Sequence, residues 1–319
     1  MEPYEGTALD VRAVIAGMSQ DVKDGFCFED VPWSRFGHAY GSGDDVPSLL
    51  ARLRSADAKA AGRALEQLWA GVVHQGTVGS VAPLAVPFLV RIAADASAHH
   101  RADTLSLATA AARRQHWGYG TRTTFLEVTP PGWFYDCSGY AMNWSIQASR
   151  NAITADMGLL LPLLDDPLPG VRISVCYALA TACGNASRIT QTLHACLERE
   201  QTPAVRASLV LAIAELAREH GGDTRIHAVA WTHALWSNTS QPPHVRVPAA
   251  LAWLCLTDTP VPDTLRTTLD TLATDDLAHN LNSVPWIAHV DEDHGLARTV
   301  DQMLNNAQPG VNDAWDPWS

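Results

Sequence analysis

The chain has 319 residues, 34 acidic against 22 basic, for a formal net charge of −12. That length can bury a large core, while the acidic balance argues against a nucleic-acid partner, whose phosphates call for a basic groove. No run of about 18 apolar residues occurs, so no membrane span is predicted.

In chain order, Met1-Glu-Pro-Tyr-Glu lacks the basic start and apolar core of a signal peptide, so a cytoplasmic location is expected. Residues 1–32 carry one predicted helix, Leu9 to Met18, and then a polar stretch. Trp33-Ser-Arg-Phe-Gly-His-Ala-Tyr-Gly41 follows. Ser42-Gly-Asp-Asp-Val-Pro47 has the form of a helix cap. Helices are predicted from Val46 to Leu53 and again after Ser55, with Leu65 and Leu68 facing inward. At His74-Gln-Gly-Thr77 the chain must turn. The next helix runs from Val81 to Ala94, and Pro87 in its middle should end or kink it. His99-His100 lies in a turn and reads as surface.

The stretch Asp165-Asp-Pro-Leu-Pro-Gly-Val-Arg172 then introduces a pattern: a turn, a Pro in the first helical turn where it loses no hydrogen bond, then Val-Arg. Val171, Val175, Leu179 and Ala182 share one helical face, as do Val205, Leu209, Ile213 and Leu216. The Val-Arg arginines are Arg172, Arg206 and Arg246, at intervals of 34 and 40. Arg101 marks an earlier copy. Each of these helices has an apolar helical neighbour before it, such as Met157 to Leu164, Ile189 to Leu197 and Ile226 to Trp236. Helix pairs at this period are the mark of helical solenoids. The expected fold is therefore all-α: an α-solenoid of stacked antiparallel helix pairs, with one aromatic-rich insertion.

This pattern resembles the HEAT repeat over about residues 45–275. In that family an Asp and an Arg of neighbouring repeats form a ladder along the stack. The words His38-Ala-Tyr-Gly41, Asp45-Val-Pro47, His74-Gln-Gly-Thr77 and Ala85-Val-Pro-Phe-Leu89 are similar to a set of actinobacterial HEAT-repeat proteins of unknown role. The resemblance implies a fold and an origin, not a reaction.

Residues 117–152 break the repeat. They hold eight of the chain's 23 aromatics, among several Gly and Pro. Insertions in solenoids map to one face, often the binding face, and aromatic density argues against disorder. Two readings stand: bulky filler between repeats, or a ligand or partner site. The expected division is thus an N-terminal segment 1–32, repeats 33–116, the insertion 117–152, repeats with a capping helix (Leu296 to Leu304) over 153–306, and a tail 307–319 with Trp315 and Trp318.

The candidate site places His38, Tyr40, Trp69, His74 and Gln75 on the edge of one groove. The insertion, with Trp117, Trp133, Tyr135, Asp136 and Tyr140, would cover it. His38 or His74 would supply acid–base help. His116 is a further candidate base, with Glu127 or Asp136 as orienting carboxylate. The plainer reading of His74 is an interaction with a helix C-terminal dipole.

His289-Val-Asp-Glu-Asp-His294 is the densest set of potential metal ligands, but neighbouring loop residues rarely converge on one ion, so it reads as a solvated loop. Cys176 and Cys183, seven apart on one predicted helix, read as small buried apolar groups. Trp231, Trp236 and Trp253 read as core. No metal or cofactor is expected, and no nucleotide-binding or hydrolase motif occurs.

Three functions follow. The first is a scaffold holding a protein or peptide partner on a concave face, for which an acidic surface suits a basic partner. The second is an enzyme of bacterial specialised metabolism, enclosing a small apolar substrate under the insertion. A DNA glycosylase is the third, and the charge disfavours it.

Overall fold

The computed structural model describes residues 10–114 and 117–305. Leu9 at the start of the first predicted helix, the candidate base His116 and the 307–319 tail lie outside the described residues. Helix makes up 67% of the structure and strands are few, so the chain is all-α as expected. The chain forms two compact units. The first comprises residues up to 115 together with 128–192, and the second comprises 116–127 together with the chain from 193 onward.

The first unit opens with α1 (Val11–Gly17) and α2 (Gln20–Gly25). A hairpin, β1 (Gly37–His38) and β2 (Gly41–Ser42), leads into α3 (Val46–Leu53) and α4 (Ala58–Val72). A second hairpin, β3 (Val73–His74) and β4 (Thr77–Val78), precedes α5 (Ala82–Ala94) and α6 (Arg101–Ala111). Then come α7 (Met142–Ala155), α8 (Met157–Leu160), a 3-10 turn, and α9 (Pro169–Leu179). The boundary between the units falls within α10 (Ala186–Arg199).

Local chemistry sets these elements. Asp57 caps α4 by accepting from the backbone N–H groups of Lys59 and Ala60 at 2.9 and 3.3 Å, which satisfies donors the first turn leaves open. Ala61, Ala64, Leu65, Leu68 and Val72 form its buried face. His99 and His100 do more than sit on the surface. Each donates from Nε2 to a carbonyl before or at the start of α4, Ala56 and Ala58, at 3.0 Å.

Pro87 does not end α5, contrary to the sequence expectation. Ala82 to Ala93 are all buried, so packing on every side outweighs the one hydrogen bond the ring removes. Phe88 anchors the preceding chain: its ring lies 5.8, 5.0 and 6.0 Å from those of Phe26, Phe28 and Trp33.

On α9, Val171, Val175 and Leu179 are buried as predicted, and so is Ala182 beyond its end. Because the helix stops at Leu179, Cys183 is not on it and is exposed, which corrects its reading as a buried apolar group. Cys176 is buried.

The second unit holds α11 (Pro203–His220), α12 (Gly222–Ser237), α13 (Pro243–Leu256), α14 (Asp263–Leu272), α15 (Asp275–Leu281), α16 (Pro285–Ala288) and α17 (Gly295–Asn305). The turn from α11 to α12 uses Gly221 and Gly222 at φ 63 and 51, a conformation L side chains rarely adopt. Val205, Leu209, Ile213 and Leu216 are buried. Trp236 and Trp253 are core, 6.0 Å apart, while Trp231 is half-buried against His194. Glu215 is fully buried and accepts from the Trp286 indole N–H at 2.6 Å.

Two of the repeated arginines, one in each unit, do the same job, while Arg172 donates to the Asp166 carbonyl and Arg206 meets His244. Arg101 Nε donates to the Ala93 carbonyl at 2.7 Å, at the end of α5. Arg246 Nε donates to the Trp236 carbonyl at 3.0 Å, at the end of α12. Each closes the C-terminus of the helix before its own, where carbonyls lack intrahelical partners. Arg101 also pairs with Asp166 at 2.7 Å, both side chains 6% exposed.

The aromatic segment 117–152 is not one lid. Residues 117–127 belong to the second unit and 128–141 to the first. From Met142 onward the chain is α7.

Candidate functional site

The site grows from the two hairpins. Each joins its strands by two residues, Ala39-Tyr40 and Gln75-Gly76. Gln75 and Gly76 both have positive φ, 48 and 78, which is the backbone of a type I′ turn. The hairpins are tied to the chain around them. Val81 N–H donates to the Gly37 carbonyl at 3.0 Å and Ala39 N–H to the Gly71 carbonyl at 3.3 Å. Ser80 Oγ accepts from Gly37 N–H at 2.8 Å. The approach needs a glycine at position 79, where a Cβ would lie 2.9 Å from the Gly37 carbonyl oxygen.

This framework fixes His38. Its Nδ1 accepts from the Tyr40 backbone N–H at 3.1 Å, so the proton sits on Nε2, which donates to Asp45 Oδ1 at 2.9 Å. The His38 side chain is 7% exposed and Asp45 57%. Asp45 occupies the N-cap position of α3, but its carboxylate makes no cap bond there and goes to the histidine instead. Tyr40 stands out from the hairpin at 69% exposure, edge-on to the His74 ring at 5.4 Å. His74 Nδ1 donates to the Ala70 carbonyl at 3.1 Å. That bond caps the last turn of α4, in line with the plainer sequence reading.

Between α3, α4 and the first hairpin lies an open pocket of about 390 Å³. Val46, Leu49, Leu68 and Val72 give it apolar lining, and Asp45, Ser48, Arg52 and Gln67 give it polar groups. His38 and Tyr40 line the hairpin side. Arg52 Nη1 donates to Gln67 Oε1 at 3.4 Å.

The structure thus brings together His38, Tyr40 and, behind them, His74. Of the other candidates among the described residues, none lines the pocket. Trp69, His74 and Gln75 do not line the pocket. Trp133 and Tyr135 are exposed, and neither they nor Asp136 and Tyr140 line it. Trp117 belongs to the second unit, where its ring meets that of His289 at 4.6 Å. Asp136 is buried and turns inward on its own loop. Its Oδ1 accepts from Ser138 N–H, Ser138 Oγ–H and Tyr140 N–H at 2.9, 2.6 and 2.9 Å. It holds a turn.

Asp45, Ser48, Arg52 and Gln67 were not singled out from the sequence as site residues. The signal was present: positions 45, 48, 49 and 52 recur at the spacing of one helical face.

Tyr140 is a structural group. It is buried between Phe36 and Trp144, and its Oη accepts from Val11 N–H at 3.0 Å. Burial pushes its pKa up from 10.0 to about 12. A raised folded-state pKa stabilises the fold fully below pH 10, and that contribution is lost as pH rises toward 12. An alkaline unfolding step across this range is expected. It should disappear in Tyr140→Phe, followed by circular dichroism alongside tyrosinate absorbance.

Among the described residues, no group of three or more His, Cys, Asp or Glu is arranged to hold a metal ion, and no helix is long and apolar enough to cross a membrane. The fold and the pocket define the class: an all-α chain with two hairpins set against a helix pair. No protein-family model and no curated protein matches it.

Proposed function

We propose that the chain is a HEAT-like helical-repeat binding protein, and that the α3–α4 pocket of its first unit holds a protein or peptide partner. The repeat reading draws support from the arginines. Arg101 and Arg246 close the helix before their own, and the buried Arg101–Asp166 pair is of the kind a repeat ladder uses. Stacking of the helix pairs into a solenoid with a concave face is part of this proposal.

The observation that carries binding over catalysis is the state of His38. Both of its ring nitrogens are engaged, one by Tyr40 N–H and one by Asp45. A general base needs a lone pair within reach of the substrate proton, and this histidine offers none to the pocket. Tyr40, exposed and stiff, is the sort of aromatic that anchors an interface. The net charge of −12 suits a basic partner.

The test is affinity capture from the native host with the full chain, run beside Tyr40→Ala. A partner enriched by the wild type and lost with the variant supports the reading. Equal recovery by both, or none by either, overturns it.

A further inference from the structure

We infer that the α3–α4 pocket recognises a C-terminal lysine: an alkyl chain with an ammonium group at one end and a carboxylate at the other. This deepens the binding reading and rests on it.

The polar groups of the pocket are of two signs and lie apart. Asp45 stands at the start of α3 beside His38 and Tyr40. Arg52 lies seven residues further on, in the last turn of α3, which puts the two Cα atoms roughly 10 Å apart. Between them the pocket is lined by Leu49 and Leu68. An anion, an apolar strip and a cation in that order match a ligand with the same three parts reversed. A lysine side chain places its ammonium about 7 Å from its own carboxylate. With a hydrogen bond at each end the total span is roughly 13 Å, which the long Arg52 side chain can reach.

Each end is also prepared. Asp45 is 57% exposed, and its Oδ1 is held by His38 Nε2–H. That bond fixes the carboxylate at the hairpin end of the pocket. Tyr40 stands beside it with its ring exposed, and a ring face attracts an ammonium group. At the other end, the contact with Gln67 Oε1 steadies the guanidinium, whose planar fork suits a carboxylate. A ligand with one charge would satisfy one end and leave the other to water. An internal lysine lacks the carboxylate that Arg52 calls for.

The experiment is isothermal titration of the full chain with 6-aminohexanoate, which carries both charges on a lysine-length chain, beside hexanoate and hexylamine, which carry one each. The doubly charged probe should bind about fivefold or more tighter than either, the size expected for a half-exposed charge-assisted contact. Asp45→Asn and Arg52→Gln should each remove that advantage, and thermal unfolding should stay unchanged because both side chains are on the surface. Equal binding of the three probes, no binding of 6-aminohexanoate, or an advantage that survives both substitutions would overturn the inference. If capture of a partner is lost in Tyr40→Ala yet kept in both Asp45→Asn and Arg52→Gln, the lysine inference fails and the binding reading stands.

Discussion

Arg101→Ala is expected to lower the stability of the first unit by about 3–5 kcal/mol, the range seen when one member of a buried ion pair is removed. The loss is large because of what it leaves behind. Asp166 is 6% exposed and pairs with Arg101 at 2.7 Å, so its carboxylate would be left charged in a place water hardly reaches. The Ala93 carbonyl at the end of α5 loses its donor at the same time. Urea unfolding of the full chain measures the effect, followed by tryptophan fluorescence and circular dichroism. Two transitions are to be allowed for, since the chain forms two compact units. The double variant Arg101→Ala with Asp166→Asn should recover part of the loss, because it removes the stranded charge. A loss under 1 kcal/mol would show that water reaches the pair, and the ladder argument for a HEAT-like repeat would lose its main support.

Phe88→Ala is expected to cost about 3–5 kcal/mol, the range for deleting a buried aromatic. Phe88 is fully buried, and its ring is the common neighbour of Phe26, Phe28 and Trp33. The cavity left behind cannot close easily, since α5 packs on all sides. The effect should be felt first over residues 26–36, which these rings tie to α5. Hydrogen exchange should show those amides opening before the amides of α9. Uniform loss of protection across the first unit would instead mean that the unit opens as a single piece.

Helical periodicity was the readable part of the fold. Val46 to Leu53 matches α3, and the inward faces of α9 and α11 came out as their spacings predicted. Such patterns depend on which residues are buried, and burial leaves a period in the sequence. Pro87 was misread because a local rule met a stronger tertiary term, the burial of α5 on every side. The hairpins were visible only as words that helical packing did not explain. His38-Ala-Tyr-Gly41 and His74-Gln-Gly-Thr77 are each a two-residue turn, too short for an alternating strand pattern to emerge.

The site was half legible. His38 and Tyr40 line the pocket, but the aromatic segment expected above them does not. Aromatic density records that rings are wanted, not where the chain carries them. Tyr140 is sunk against Phe36, and Trp117 belongs to the other unit. Asp45 reads from the sequence as part of a helix cap, and Arg52 stands out in no motif, because their place in the pocket comes from α4 and the hairpin across from them.

The split of the aromatic segment bears on how the chain is made. Residues 117–127 leave the ribosome early, between two stretches of the first unit. Their partners come much later: Arg122 donates to the Leu254 and Thr257 carbonyls, and Gly118 accepts from Gln302. During synthesis this loop must wait, with the Phe125 ring that the fold buries still unshielded, until the later helices are translated. A nascent chain stalled near residue 200 would therefore present a greasy loop to chaperones and proteases, and release of the finished chain would withdraw it.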